Sequence, residues 1–340
     1  MSDLYFLSFR DVASNSVGVT AGEVYRQASV TAGSAWSGLN PGDMKWVPWA
    51  DVGALFAGQH VCFVIHGFNV SARDGFRSGG AIAQECERLG TMGLAMTGAD
   101  VVVTVLWPGD GLLGWNWFTA WPHGLATSAN FCDFLLSSAF KADEVSFITH
   151  SLGARIAFQT IDATLAAKNA APRFRYSTAV LLAAAVDASA LDEEFAPAVA
   201  ALERVVVLSS KQDKTLKTWF TIGDTAESVL INTYTGDGSG NALGRFGPKF
   251  KDGSPAIAKT EWYQIDSDWK QDHGDYMPTL SDPQPNMTNG WSDRRGNVAQ
   301  FYVDVFNPAP FNLPRWNGGQ RQGWAQDRTD EFRAGWKPKM

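Results

Sequence analysis

The stretch EVSFITHSLGARIAFQ, Glu144 to Gln159, constrains this chain more than any other. Val145, Phe147 and Ile148 form a short apolar run rich in β-formers, whereas Ala154, Ile156, Ala157 and Ile161 recur at helical spacing. The pattern predicts a strand that runs into a helix through Thr149, His150, Ser151, Leu152 and Gly153. Small residues stand two positions either side of the serine. A tight strand-to-helix turn needs them, because its backbone is strained and the two elements approach closely.

Such a turn has two readings. In one, Ser151 is the N-cap of the helix, a position serine often takes. In the other it is a nucleophile elbow, which lifts the hydroxyl clear of the sheet. The amide of Leu152 then lies at the helix N-terminus, where developing negative charge is favoured. The common elbow is G-x-S-x-G and Thr149 replaces its first glycine, so the motif alone leaves both readings open.

The rest of the chain supplies a sheet for this turn to stand on. Leu4 to Phe9 reads as an early edge strand, and Ser14 to Pro41 carries no assignable pattern. Buried strands are predicted at Val61–Ile65, Val101–Leu106, Ala179–Val186, Val205–Leu208 and Trp262–Ile265, with helices at 48–57, 74–89, 126–140, 195–202, 215–230 and 296–306. Strands alternating with helices imply a mostly parallel sheet covered on both faces. We place the main domain at 1–306, with a loop or lid insertion at 108–124 and a Gly-rich excursion outside the core at 232–254. A Trp-rich tail follows at 307–340. Neither excursion carries the apolar pattern for a core of its own.

Composition removes several function classes. The net charge of -7 and the absence of a Lys/Arg block argue against nucleic acid; Lys211 to Lys217 and Arg294–Arg295 read as solvated surface. Cys62, Cys86 and Cys132 are scattered within core-like segments and suggest neither a disulfide framework nor a zinc site. No cofactor or metal is expected. The N-terminal MSDLYFLSFRD lacks the basic start and apolar run of a signal peptide. Together with the want of a membrane-spanning stretch, this gives an expected cytoplasmic, soluble protein.

A serine hydroxyl becomes a useful nucleophile only when a base takes its proton and a carboxylate orients that base. Asp187 and Asp213 each follow a predicted strand, and His273 lies beyond the last one. Residues just past the carboxyl ends of parallel strands converge on one edge. Among five histidines, His60 opens a strand, His66 and His150 belong to turns, and His123 lies in an aromatic loop, which leaves His273 as the base. Asp213, after the penultimate core strand, is preferred to Asp187 as the acid. The loop after the first core strand, His66–Gly67–Phe68–Asn69, offers the amide of Phe68 as a second oxyanion donor beside that of Leu152.

These islands resemble the α/β-hydrolase superfamily, and within it serine hydrolases of unassigned function. The matching residues are HGFN at His66 to Asn69, HSLG at His150 to Gly153, the S-x-x-D strand end at Ser210 to Asp213, and His273–Gly274. The resemblance implies an α/β-hydrolase fold, a Ser151, Asp213, His273 triad and esterase or lipase-like chemistry on a small-molecule or lipid-like ester. A thioesterase or amidase would use the same triad, and a non-catalytic binding protein on the same scaffold is the alternative from another class. A phosphoryl-transfer reading lacks its phosphate-binding loop. Trp107, Trp115, Trp117 and Trp121 lie beside the expected site and read either as a substrate-binding lid or as a satellite core. Trp291, Trp316, Trp324 and Trp336 read as anchors for the tail.

Overall fold

The doubly buried apolar runs become the interior of one sheet in the computed structural model of the protein, which describes residues 3–10, 18–27, 44–91, 99–110, 117–167, 171–220, 241–265, 272–277, 324–327 and 335–338. The strands are β1 (Leu4–Arg10), β2 (Val19–Gln27), β3 (Lys45–Trp46), β4 (His60–Ile65), β5 (Val101–Leu106), β6 (Glu144–His150), β7 (Arg175–Leu182), β8 (Leu202–Ser210), β9 (Thr260–Ile265), β10 (Trp324–Asp327) and β11 (Gly335–Pro338). The main helices are α1 (Trp49–Phe56), α2 (Ala72–Thr91), α3 (Trp117–Leu136), α4 (Gly153–Ala166) and α5 (Ala196–Ala201).

Among the described residues the strand order is β10-β11-β9-β8-β7-β6-β4-β5-β1-β2-β3. The run from β9 to β1 is parallel throughout, while β2, β3 and β10 pair antiparallel outside it. Alternation along β1 separates the two faces. Leu4 and Phe6 join Phe76 of α2, whose ring stacks 4.4 Å from Phe6, whereas Leu7 and Phe9 join the main core, where Phe9 meets Phe131 of α3. Helices therefore cover both sides.

The chain leaves β4 toward β5 on one side and leaves β6 toward β7 on the other, so the crossovers diverge between two adjacent strands. A crevice opens at the carboxyl ends of strands at such a switch point. Register pairs Ile65 with Thr149 there, and His66–Gly67 comes to lie beside His150–Ser151.

Several elements depart from the sequence expectations. β1 is an interior strand, because β2 and β3 add beyond it. β2 shows no alternation legible in the sequence, since Gly22 and Val24 are its only buried residues. β7 ends at Leu182; the apolar run to Val186 continues as buried irregular chain, with Ala183 at φ 46. α3 begins at Trp117, so the second half of the 108–124 segment is helical. The far half of the Gly-rich excursion packs into the core: Ala242, Leu243 and Phe250 are buried, and the Gly244 amide bonds the Ala184 carbonyl. Residues 216–220 form a π-helical turn, while 221–230 and the expected helix at 296–306 lie outside the described residues. Trp324 and Trp336 belong to β10 and β11, which extend the sheet beyond β9, whereas Trp291 and Trp316 lie outside the described residues. Cys62 and Cys132 are buried and form no disulfide among the described residues. Among the described residues no helix is long and apolar enough to cross a membrane.

Close packing of α2 on β5 depends on a missing side chain. A Cβ at Gly79 would fall within the Thr104 side chain, whereas one at Gly124 of α3 would meet Ile156 at an ordinary 3.8 Å. We expect Gly79→Ala to lose about 1–3 kcal/mol to overpacking and Gly124→Ala to lose nothing, since alanine is the better helix former by about 1 kcal/mol. Urea unfolding of the two variants checks this, and equal midpoints would refute the close-approach account.

Candidate active site

At the turn between β6 and α4, Ser151 has φ 54, a left-handed conformation that is costly for a residue with a side chain. Three backbone hydrogen bonds hold it. Its N–H donates to the Leu182 carbonyl at 3.0 Å, and its carbonyl accepts from Ala185 and Ala154 at 3.1 and 3.2 Å. Thr149 fits where a glycine is usual because its hydroxyl turns toward β7 and donates to the Val180 carbonyl at 3.1 Å. Two glycines let the turn sit against β4. A Cβ at Gly67 would lie 2.7 Å from the Ser151 Cβ, and one at Gly153 would lie 2.5 Å from the Ile65 carbonyl oxygen.

The structure brings Ser151, His273 and Asp213 together from three separate elements. His273 opens the 3-10 turn His273–Tyr276, and its Nε2 lies 2.9 Å from the Ser151 hydroxyl. Its Nδ1 lies 2.7 Å from Asp213 Oδ2. A carboxylate only accepts, so Nδ1 carries the proton and Nε2 is the lone-pair nitrogen facing Ser151. Asp213 follows β8 and is fully buried; its second oxygen accepts from the Leu216 amide at 2.8 Å, which fixes the carboxylate plane. Asp187, the other candidate acid, directs Oδ1 to the amide and hydroxyl of Ser189, at 3.0 and 3.1 Å. It shapes the loop beyond β7.

Leu152 is the N-cap of α4 and is buried, so its amide stands at the first turn of that helix. Phe68 is partly buried in the turn after β4, and the next residue, Asn69, donates its amide to the Gly109 carbonyl at 2.8 Å. Trp107 is fully buried. Its indole N–H donates to the His66 carbonyl at 2.8 Å, and its ring stacks on the His66 ring at 5.6 Å. Trp107 and Trp121 also border a small cavity, ≈ 10 Å³ or room for about one water, shared with Leu152, Ile156 and Gln159. Trp121 carries the Arg155 guanidinium on its ring face at 4.3 Å. Trp115 lies outside the described residues, and of the Trp117 side chain nothing is described.

Two histidines that the sequence places only in turns are built into the site. His66 offers Nδ1 to the Gly67 carbonyl at 2.8 Å and Nε2 to the Trp107 amide at 3.3 Å, so one neutral tautomer satisfies both. Burial lowers its pKa to about 4. His150 donates Nε2–H to the His273 carbonyl at 2.9 Å, and burial, then the neighbouring His273, lowers its pKa to about 3. Their signal in the sequence is adjacency: each directly precedes a turn residue, and the β4–β6 register sets the two side by side.

A family model described as an alpha/beta hydrolase of unknown function (DUF900) matches residues 55–227, about half of the chain. The chain belongs to that family. The matched segment runs from the end of α1 past β8 and so contains Gly67, Ser151 and Asp213 of this alpha/beta hydrolase; His273 lies beyond it. The mostly parallel sheet with helices on both faces is the α/β-hydrolase fold expected from the sequence. Curated proteins searched for relatives give no match.

The two buried histidines give the family member a pH-dependent stability. Each is neutral when folded and returns to about 6.5 when unfolded, so on acidification the unfolded chain binds more protons and stability falls as pH drops below that value. The loss levels off below about 4 for His66 and about 3 for His150. Asp162, whose carboxyl burial pushes up to about 6, acts in the opposite sense. The informative quantity is therefore a difference. Between pH 6 and 4.5, His150→Gln should remove up to about 1.4 kcal/mol per pH unit from the slope of unfolding free energy. Parallel wild-type and variant profiles in urea titrations would contradict the burial argument.

Proposed function

We propose that this protein is a serine hydrolase that cleaves carboxylic esters through an acyl-enzyme intermediate. The observation that carries the reading is the continuous relay from the Ser151 hydroxyl through His273 to the buried Asp213, standing at the switch point of the sheet. In this reading Ser151 Oγ attacks the ester carbonyl carbon while His273 Nε2 takes its proton. The tetrahedral oxyanion is held by the amides of Leu152 and Phe68. Its collapse breaks the bond to the alcohol, which leaves with the proton from His273. Water then attacks the acyl carbon, gives a proton to His273, and the carboxylic acid departs as the proton returns to Ser151. Asp213 holds the tautomer and stabilises the imidazolium that forms in each half-reaction.

The cavity beside Leu152 that Trp107, Trp121 and Ile156 line has room for about one water and is too small for an acyl chain. Thioesters and activated amides fit the same chemistry. Esters are the parsimonious substrate class, since nothing in the site beyond the relay is required to expel an alcohol.

Ser151→Ala should abolish both p-nitrophenyl acetate hydrolysis and covalent labelling by a fluorophosphonate while leaving the unfolding midpoint near wild type. Asp213→Asn should lower kcat by about 10⁴-fold through loss of the tautomer lock. Asp187→Asn should leave kcat within about threefold, as a loop residue typically shifts stability by 0.5–3 kcal/mol instead. Steady-state kinetics on the three variants decide the assignment. A Ser151→Ala enzyme with undiminished turnover, or a larger loss from Asp187→Asn than from Asp213→Asn, would sink it.

A further inference from the structure

The base in the relay comes from a very short piece of structure. His273–Tyr276 is a four-residue turn, and its own capping box is local: Asp272 Oδ1 accepts from the His273 amide at 2.9 Å, and Asp275 accepts from the Asp272 amide at 2.9 Å. Such bonds shape the turn without locating it. Beside the His273 side-chain bonds to Asp213 and Ser151 and the buried Tyr276 ring, two hydrogen bonds to the turn's flank and backbone tie it to the rest of the site. Asp272 Oδ1 accepts from the Lys214 amide at 3.1 Å, next to the acid Asp213. On the opposite side His150, next to the nucleophile Ser151, donates Nε2–H to the His273 carbonyl at 2.9 Å.

We propose that His150 is a positioning residue for the base: its Nε2–H grips the His273 backbone carbonyl and thereby sets the distance between the His273 ring and the Ser151 hydroxyl. The inference rests on the hydrolase reading above and adds to it a residue that touches no reacting atom. The geometry favours this role for three reasons. The donor and the nucleophile are consecutive on one rigid elbow, so the grip references the base directly to the hydroxyl it must reach. The His150 ring has little freedom, with the His273 and Tyr276 rings centred 4.8 and 6.2 Å away and Gly67 giving it space on its Nδ1 side. Finally, the bond requires a proton on Nε2 alone. A buried imidazole that stays neutral supplies that proton without placing a second positive charge beside His273 when the base becomes imidazolium.

The test compares two substitutions of His150 in the full-length protein. His150→Gln keeps an amide donor at nearly the reach of Nε2, whereas His150→Met keeps the volume and loses the donor. With p-nitrophenyl acetate, His150→Met should lower kcat by about 100-fold, the cost of misplacing a catalytic group by roughly 1 Å, with KM changed less than about threefold. His150→Gln should recover kcat to within about fivefold of wild type. A purely structural role predicts equal losses in the two variants, and that result overturns the proposal, as does wild-type kcat in His150→Met. If His150→Met does not fold, His150→Asn takes its place, because its amide ends short of the carbonyl.

A second readout needs no turnover. In a Ser151→Ala background, the strongly deshielded Nδ1 proton of His273 should be visible by NMR both with His150 intact and with His150→Gln added, and broadened beyond detection with His150→Met added. Retention of that signal alongside His150→Met overturns the proposal. If the wild type hydrolyses no ester, the hydrolase reading fails, and this proton still decides whether His150 holds the turn.

Discussion

The site depends on how closely the end of β4 can approach the turn after β6. Two strands in register would normally keep their following residues apart by the width of their side chains. Here Gly67 and Gly153 have none, and the turn at Ser151 presses against the Ile65 and His66 carbonyls. The left-handed backbone at Ser151 costs on the order of 1–3 kcal/mol, and it persists because β7 and the chain beyond it bond both its amide and its carbonyl. An exposed loop holding the same serine would relax.

Around this approach the protein uses three imidazoles in three ways, each fixed by what its nitrogens meet. His66 spans the Gly67 carbonyl and the Trp107 amide and so joins the turns after β4 and β5. His150 joins the elbow to the turn that carries His273. His273 alone leaves a lone pair facing a hydroxyl. Burial keeps the first two neutral well below physiological pH, so their hydrogen-bond patterns do not change over the range in which a catalytic histidine works. The Arg10–Asp110 pair extends the same bracing, with two hydrogen bonds of 2.6 and 3.1 Å from the end of β1 to the loop that follows Trp107.

Much of this is legible in the sequence, for identifiable reasons. The β-branched runs at Val61, Val101 and Val205 read as strands because they are buried on both faces, and small residues at Gly67 and Gly153 mark the tight approach. Asp213 and His273 emerge from chain order. Periodicity fails where burial and secondary structure part company. Ala183 to Val186 is as apolar as any strand yet runs irregularly beneath Leu243 and Gly244. Trp117 to Gly124 reads as a loop because Pro122 and two glycine-flanked ends interrupt the pattern, although a helix accommodates them. The bracing contacts of His66 and His150 are not legible because their partners are backbone groups, and a backbone partner leaves no residue type to recognise.

The placement of His273 also bears on the order in which the protein is made. The elbow, the turn after β4 and the acid all lie at or before Asp213, and the strands that carry them can pair as soon as β8 has been synthesised. His273 arrives sixty residues later, after β9, on the turn that meets Asp213 and Ser151. In the hydrolase reading proposed above, a nascent chain that has reached only Asp213 therefore holds the serine without its base. Under that reading hydrolytic competence waits for His273 and comes late in synthesis, together with the part of the core that Leu243, Trp262 and Tyr263 supply.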